Sequence, residues 1–349
     1  MTLMRNGWTR AVGLLAVSFL CGVLAACPHE SGPHDCVGEA AQPVPWVELA
    51  PGIWVWEGAR SDIAPDNLGH VAPTALVVDA GEAMVIDPGP SFQHGQRVRR
   101  SVACRFQARV RWVVNTHAHA ENVLANGAFS DLAASGQLAI VSSAATQAAM
   151  RERCPDCLAS LTARVGAAAM ARTEIAWPTL RVQAGDVLPV GRLRLLVMPG
   201  EQGHTEGDLL LWHSESGTVW AGGLAYLGRL PELSQGSVDG WLKALDHLEA
   251  LAPRHLVSAA VSSASGSGSL PSPLSATRAY LQALRQGVLQ AMDEGHQPQE
   301  PGLVPLPAFA EWAGYVERHA FNVQRAWREL EPVWMDQSPS SSSVEHVGR

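Results

Sequence analysis

Lysine is nearly missing from this chain: Lys243 is the single one among 25 basic residues, and charged residues make up only 17% of the 349. The net charge is −8 and no basic stripe runs along the sequence, so an electrostatic grip on nucleic acid is not expected. The scarcity of lysine beside abundant Ala, Gly and Arg reads as nucleotide-composition bias and carries no functional meaning. There is no internal repeat. A signature of general disorder is also lacking, because 47% of the residues are hydrophobic, enough for one large core or a domain with an extension.

The one long apolar run, "AVGLLAVSFLCGVLAAC", follows Arg5 and Arg10 and is short for a membrane span. It reads as a secretory signal over residues 1–27. "LAAC" at Leu24–Cys27 looks like a bacterial lipobox, with Cys27 lipidated and first in the mature chain; ordinary cleavage nearby is the alternative. Cleavage would remove two arginines and take the net charge from −8 to −10. Export implies an oxidising compartment and a periplasmic, membrane-tethered location. Of six cysteines, Cys36, Cys104, Cys154 and Cys157 remain after the signal. "CPDC" at Cys154–Cys157 has redox spacing but no thioredoxin-like context, so a structural disulfide or an inert thiol pair is the better reading.

Residues 28–44 are Pro/Gly-rich and acidic, as in a tether. From 45 to 262, short β-rich runs such as "GIWVWEG", "TALVVDAG" and "EAMVIDPGP" alternate with helical stretches: "SFQHGQRVRRSVACRF", about 144 to 172, and "SVDGWLKALDHLEALAP". That mixture predicts one α/β or α+β domain. Residues 263–273 read as a linker and 274–336 as a helical extension packed on the domain, its second helix predicted from Phe309. The Ser-rich tail, 337–349, reads as disordered.

The chemistry gathers at "NTHAHAENVLAN", Asn115–Asn126. His117 and His119 follow an apolar strand where it leaves the sheet, and spacing of two on an extended segment puts both imidazoles on one side. His204, in "GHTEGD", lies in a Gly-rich turn between two strands; His213, His247 and His255 read as packing or solvent-facing residues.

Taken in order, "VIDPGPS", "NTHAHAEN" and "GHTEGDLLLW" resemble the metallo-β-lactamase superfamily. In detail, "PGIWVWEG", "RERCPDCLASL", "ARTEIAWPTL", "GRLPELSQGSVDGWLKALD" and "FNVQRAWRELE" resemble the quinoprotein relay system zinc metallohydrolases, exported proteins associated with alcohol-oxidising quinoprotein pathways. The resemblance implies a four-layer αββα sandwich with metal at the strand-end edge between two sheets. It also implies that His117, His119 and His204 hold a first zinc. Against the family's H-x-H-x-D-H motif this chain has Glu121 at the aspartate and Asn122 at the last histidine. Gly223 stands at the bridging aspartate, and Ala260 aligns with the final second-site histidine.

Three neutral imidazoles make a complete set for tetrahedral zinc with one open position for water. Two zinc ions about 4 Å apart repel by roughly 15 kcal/mol at an effective dielectric of 20, and Glu121 with a neutral amide offsets little of that. One Zn2+ per chain is therefore expected, with Glu121 as general base or water-holding group. Asp87 and Asp208 are expected to orient the ligand loops, with turn capping as the alternative. Three outcomes stay open: a weakened hydrolase, a non-catalytic metal- or ligand-binding accessory protein, and histidines that only pack. Bulky Trp212, Tyr226 or Arg229 filling the groove would favour the second. The resemblance implies a quinoprotein-pathway partner, while the loops that would choose a substrate carry no recognisable signature.

Overall fold

The computed structural model describes residues 36–38, 42–263, 272–300 and 302–337. The signal with Cys27, most of the expected tether and linker, and the tail beyond 337 lie outside them.

Seven strands form the first sheet in chain order: β1 (Val47–Ala50), β2 (Ile53–Trp56), β3 (Thr74–Asp79), β4 (Glu82–Ile86), β5 (Arg109–Val114), β6 (Ala139–Ser142) and β7 (Leu180–Arg181). The first four pair antiparallel through short turns. From β4 to β7 the pairing is parallel, which requires crossovers. These carry helix α1 (Phe92–Arg105), the short α2 (Ala120–Val123), a 3-10 stretch (Leu124–Phe129), α3 (Ser130–Ala134) and the long α4 (Ala144–Val165). The second sheet holds β8 (Val187–Val190), β9 (Leu193–Pro199), β10 (Leu209–His213), β11 (Thr218–Trp220), β12 (His255–Val257) and β13 (Val261–Ser263). Helix α5 (Val238–Ala250) links β11 to β12, and α6 (Pro273–Asp293) and α7 (Tyr315–Gln337) follow.

Period-two alternation sorts each strand's side chains between layers. On β4, Met84 and Ile86 meet Leu195, Val197 and Leu211 of the opposite sheet, while Ala83 and Val85 turn outward to Val98, Val102 and Phe129. On β10, Leu209 and Leu211 face the first sheet and Leu210 faces outward. That outer face is covered by Trp241, Leu245 and Leu248 of α5, at helical spacing, together with Tyr280, Leu284, Trp327 and Leu330 of the last two helices. The result is an αββα sandwich, and the C-terminal helices share its outer core.

Two predicted helices are shorter than their spacing suggested. The stretch from 144 ends at Val165, where Gly166 takes φ 92°. The last helix begins at Tyr315, because Pro307–Phe309 forms a 3-10 turn and Gly314 sits at φ 81°.

Of the two readings for Cys154 and Cys157, a structural disulfide or an inert thiol pair, the bridge does not form: both are free thiols, and the disulfide joins Cys36 to Cys104 with 5.5 Å between their Cα atoms. Residues three apart on a helix hold their Cβ atoms about 5–6 Å apart, beyond the roughly 4 Å of a disulfide. Cys154 is buried with Ala118, Val123 and Met150, and burial pushes its thiol up to about 12. Burial, then the nearby Glu121 carboxylate, raises Cys157 as well. The pair is inert as a nucleophile at neutral pH.

Candidate metal centre

Chain exit from β5 creates the first half of the site. Asn115 and Asn126, the two ends of the histidine motif, exchange side-chain amide hydrogen bonds of 3.0 and 2.8 Å, and Asn126 also donates to the Ala176 carbonyl. Both are fully buried, and their clasp closes the segment into a loop. Sequence reasoning missed it, although symmetric asparagines at the ends of a buried polar segment were a usable signal. Within the loop, Asp87 accepts from the Thr116 amide at 2.9 Å and from Thr116 Oγ1 at 2.7 Å. Thr116 Oγ1 lies 2.9 Å from Nδ1 of His117. Its proton goes to the carboxylate, so the hydroxyl accepts from Nδ1–H and leaves Nε2 of His117 as a free lone pair.

The second half is the turn from Gly200 to Asp208. Asp208 gathers it by accepting from the His204 amide (2.6 Å), the Thr205 amide (3.0 Å) and Thr205 Oγ1 (2.6 Å). His204 Nδ1 donates to the Glu232 carbonyl at 3.0 Å, which leaves its Nε2 as a lone pair too. Both aspartates thus orient ligand loops through backbone amides and threonine hydroxyls. Burial pushes each carboxyl up to about 7, opposed by those hydrogen bonds.

His117, His119 and His204 come together, with one ligand atom from each within 4.8 Å of the others and all three rings buried. Ring centroids are 4.9, 5.1 and 4.5 Å apart, and every pair is edge-on. Burial, reinforced by neighbouring imidazoles, lowers His117 and His204 well below their ordinary range, so both are neutral, as a ligand must be. His204 Nε2 faces His119 Nδ1 at 3.0 Å. A tetrahedral zinc with bonds of 2.0–2.1 Å spaces its nitrogens by roughly 3.3 Å, so the trio fits such an ion. Among the described residues this is the only group of three His, Cys, Asp or Glu side chains so placed.

The other four positions differ in kind. Glu121, in the first turn of α2, is half-buried and lines a cleft of about 290 Å³ beside His119. Asn122 is buried and its Oδ1 has no hydrogen-bond partner in the protein. A Cβ on Gly223 would lie 2.0 Å from Cδ2 of His204, so the ring occupies the volume a side chain there would need. Ala260 donates its amide to Ala225 and brings no ligand atom.

The cleft is also lined by Tyr226, Arg229, Leu230 and Glu232, and by Ile63 and Val71. Arg229 donates to the Val71 carbonyl and sits over the Tyr226 ring. Trp212 packs on the outer core instead, away from the cleft. Asp62, paired with Arg164 and Arg318, and the partly exposed Glu232 carboxylate, which desolvation raises but His119 and Arg318 hold low, are site residues that no motif announced.

The family model described as "Metallo-beta-lactamase superfamily" matches residues 69–259. The chain belongs to this superfamily. Solved metallo-β-lactamases share its fold at low identity. One from Pontibacter korlensis is 14% identical with a TM-score of 0.51, covering 68% of this chain and 98% of its own. FIM-1 from Pseudomonas aeruginosa, in its mono-zinc form, is 15% identical with a TM-score of 0.51, covering 69% and 95%. One from Hirschia baltica is 15% identical with a TM-score of 0.50, covering 69% and 98%. No curated protein matches the chain. Like its superfamily, which binds metal, usually zinc, this chain is a zinc hydrolase-like protein with a tri-histidine cluster.

Proposed function

We propose that the chain is a mononuclear zinc hydrolase of the quinoprotein relay type, exported and anchored through a lipid on Cys27. The observation that carries the single-metal part is the His204 ring lying in the side-chain volume of Gly223. A bridging carboxylate has no room there while the ring keeps its place in the trio. Asn122 and Ala260 supply no imidazole, so the second seat is left with Glu121 alone among strong donors.

When bound, zinc supplies Lewis acidity at the floor of the cleft, polarising a carbonyl and acidifying water. The protein's own residues do the rest. Asp87 through Thr116, and the Glu232 carbonyl directly, fix the tautomers of His117 and His204. Glu121, on the same cleft wall as His119, takes a proton from water as general base. Ile63, Val71, Leu161 and Leu230 give the cleft apolar surface, set among the acidic Asp62, Glu121, Asp156 and Glu232 and the basic Arg164, Arg229 and Arg318. A neutral ester-like or amide-like carbonyl compound of modest size suits this lining.

The competing role is a non-catalytic metal- or ligand-binding accessory protein. It is favoured by the bulky Tyr226 and Arg229 side chains lining the groove. Turnover separates the two. A panel of thioesters, lactones and β-lactams should show zinc-dependent hydrolysis of at least one member, abolished in His117→Ala and reduced about 100-fold in Glu121→Gln. A flat response from the zinc-loaded protein across the panel rejects the hydrolase and leaves the accessory role.

A further inference from the structure

The C-terminal helices reach the metal centre through one buried amide. His204 Nδ1 donates to the carbonyl of Glu232, so the placement of residue 232 sets the tilt and tautomer of that ring. Residues 231–235 have no helix or strand to hold them. They are gripped from α7 instead. Asn322 is 2% exposed; its Oδ1 accepts from the Leu233 amide at 3.1 Å, and its Nδ2 donates to the Pro231 carbonyl at 2.8 Å. One side chain therefore bonds the residue on each side of Glu232. Its second Nδ2 hydrogen goes to the Tyr280 hydroxyl at 2.8 Å, which lies 3.2 Å from His319 Nδ1. His319 in turn donates to the Val304 carbonyl at 2.7 Å.

Only an amide satisfies this arrangement. It needs an acceptor for Leu233 N–H and donors for both the Pro231 carbonyl and the tyrosine oxygen. A carboxylate would face Pro231 with a second acceptor, and an apolar residue would leave a buried N–H and C=O unpaired. Either change frees the segment carrying the carbonyl that orients His204.

We propose that Asn322 is a positioning residue for the metal ligand His204, acting through the Pro231–Leu233 segment. This rests on reading the histidine trio as a metal site. It gives the C-terminal helical pair a part in the chemistry: the pair completes the outer layer around one of the three ligands.

The test compares Asn322→Leu with Tyr280→Phe in the full mature chain. Tyr280→Phe removes a hydrogen bond from the same amide but leaves both bonds to residues 231 and 233 intact. Zinc affinity is measured by chelator competition, ligand geometry by the visible spectrum of the cobalt-loaded protein, and stability by melting the metal-free forms. Asn322→Leu should weaken zinc binding about 10–100-fold and shift the cobalt bands. Tyr280→Phe should stay within about threefold of wild type and keep its spectrum, even where its melting temperature falls as far. Wild-type affinity in a folded Asn322→Leu overturns the proposal, and so does an equal loss in both variants, which would mark a general stability effect. Should Asn322→Leu not fold, Asn322→Asp keeps the acceptor and loses the donation to Pro231; unchanged affinity there overturns the proposal equally. A wild type that binds neither zinc nor cobalt defeats the metal-site reading as well, whereas a wild type that binds beside a variant that binds equally defeats this inference alone.

Discussion

Among the described residues, two clusters of histidines have opposite characters. In the trio of His117, His119 and His204 the rings meet edge-on, and the outward nitrogens of His117 and His204 are tied to a threonine hydroxyl and a backbone carbonyl. In the other cluster, His94 stacks flat on Trp56 at 4.2 Å and His70 tilts against both, while the Arg97 guanidinium lies over the same indole. His94 Nε2 spends itself on Thr74 Oγ1 at 3.0 Å. Burial of imidazoles is common to the two. What separates them is where the lone pairs point and which charge stands beside them: convergent nitrogens with free lone pairs suit a cation, whereas stacked rings beside a guanidinium fill space.

The largest effect expected from breaking this comparison is on metal retention. His204→Ala should weaken zinc binding on the order of 10³-fold, since each ligand carries a share of the roughly 12 kcal/mol typical of such sites. His94→Ala should leave zinc affinity within about twofold and instead cost about 2–4 kcal/mol of stability, through a cavity and a lost stacking partner. Zinc titrations and urea melts on both variants give the cross-pattern; equal zinc loss in the two would erase the distinction.

A smaller effect is the pH dependence of the packing cluster. Burial, then the charge of Arg97, lowers His70 from 6.5 to about 4, and burial with His70 and Arg97 nearby holds His94 well below its ordinary range too. A depressed folded pKa means that the unfolded chain binds more protons. The stability from neutral His70 is therefore full above pH 6.5 and is lost as pH falls from 6.5 toward 4, by about 3 kcal/mol at most. His117 and His204 act in the same direction, so the check is a difference: urea melts across that window should show a shallower acid loss in His70→Gln than in wild type. Parallel curves would mean that His70 titrates normally.

The strand–helix order and the three histidines were legible because each rests on short-range signals: alternating apolar residues, a histidine pair at a strand exit, and a Gly-rich turn. The sandwich itself came from resemblance rather than periodicity. Other features were illegible for definite reasons. Cys36 and Cys104 are 68 residues apart in sequence, and nothing local pairs them, whereas the conspicuous Cys154 and Cys157 diverge once the segment is helical. Helical spacing around Phe309 and beyond Val165 ignored the glycines that bound each helix, Gly314 before one and Gly166 after the other. Asp62, Glu232 and Asn322 reach the cleft or its supports from loops and a helix distant in sequence, and their roles exist only after folding. Gly223 was legible as a missing carboxylate, but the sequence gives no hint that a neighbouring ring fills its place.

Zinc content shows whether the His204 ring has taken the place of a second ion's bridging carboxylate. Elemental analysis of gently purified wild type and Gly223→Asp should return one equivalent per chain for wild type and less than one for the variant, because the new side chain displaces His204 before it can hold a second ion. Two tightly held equivalents in wild type, or a gain of zinc on restoring the aspartate, would contradict it.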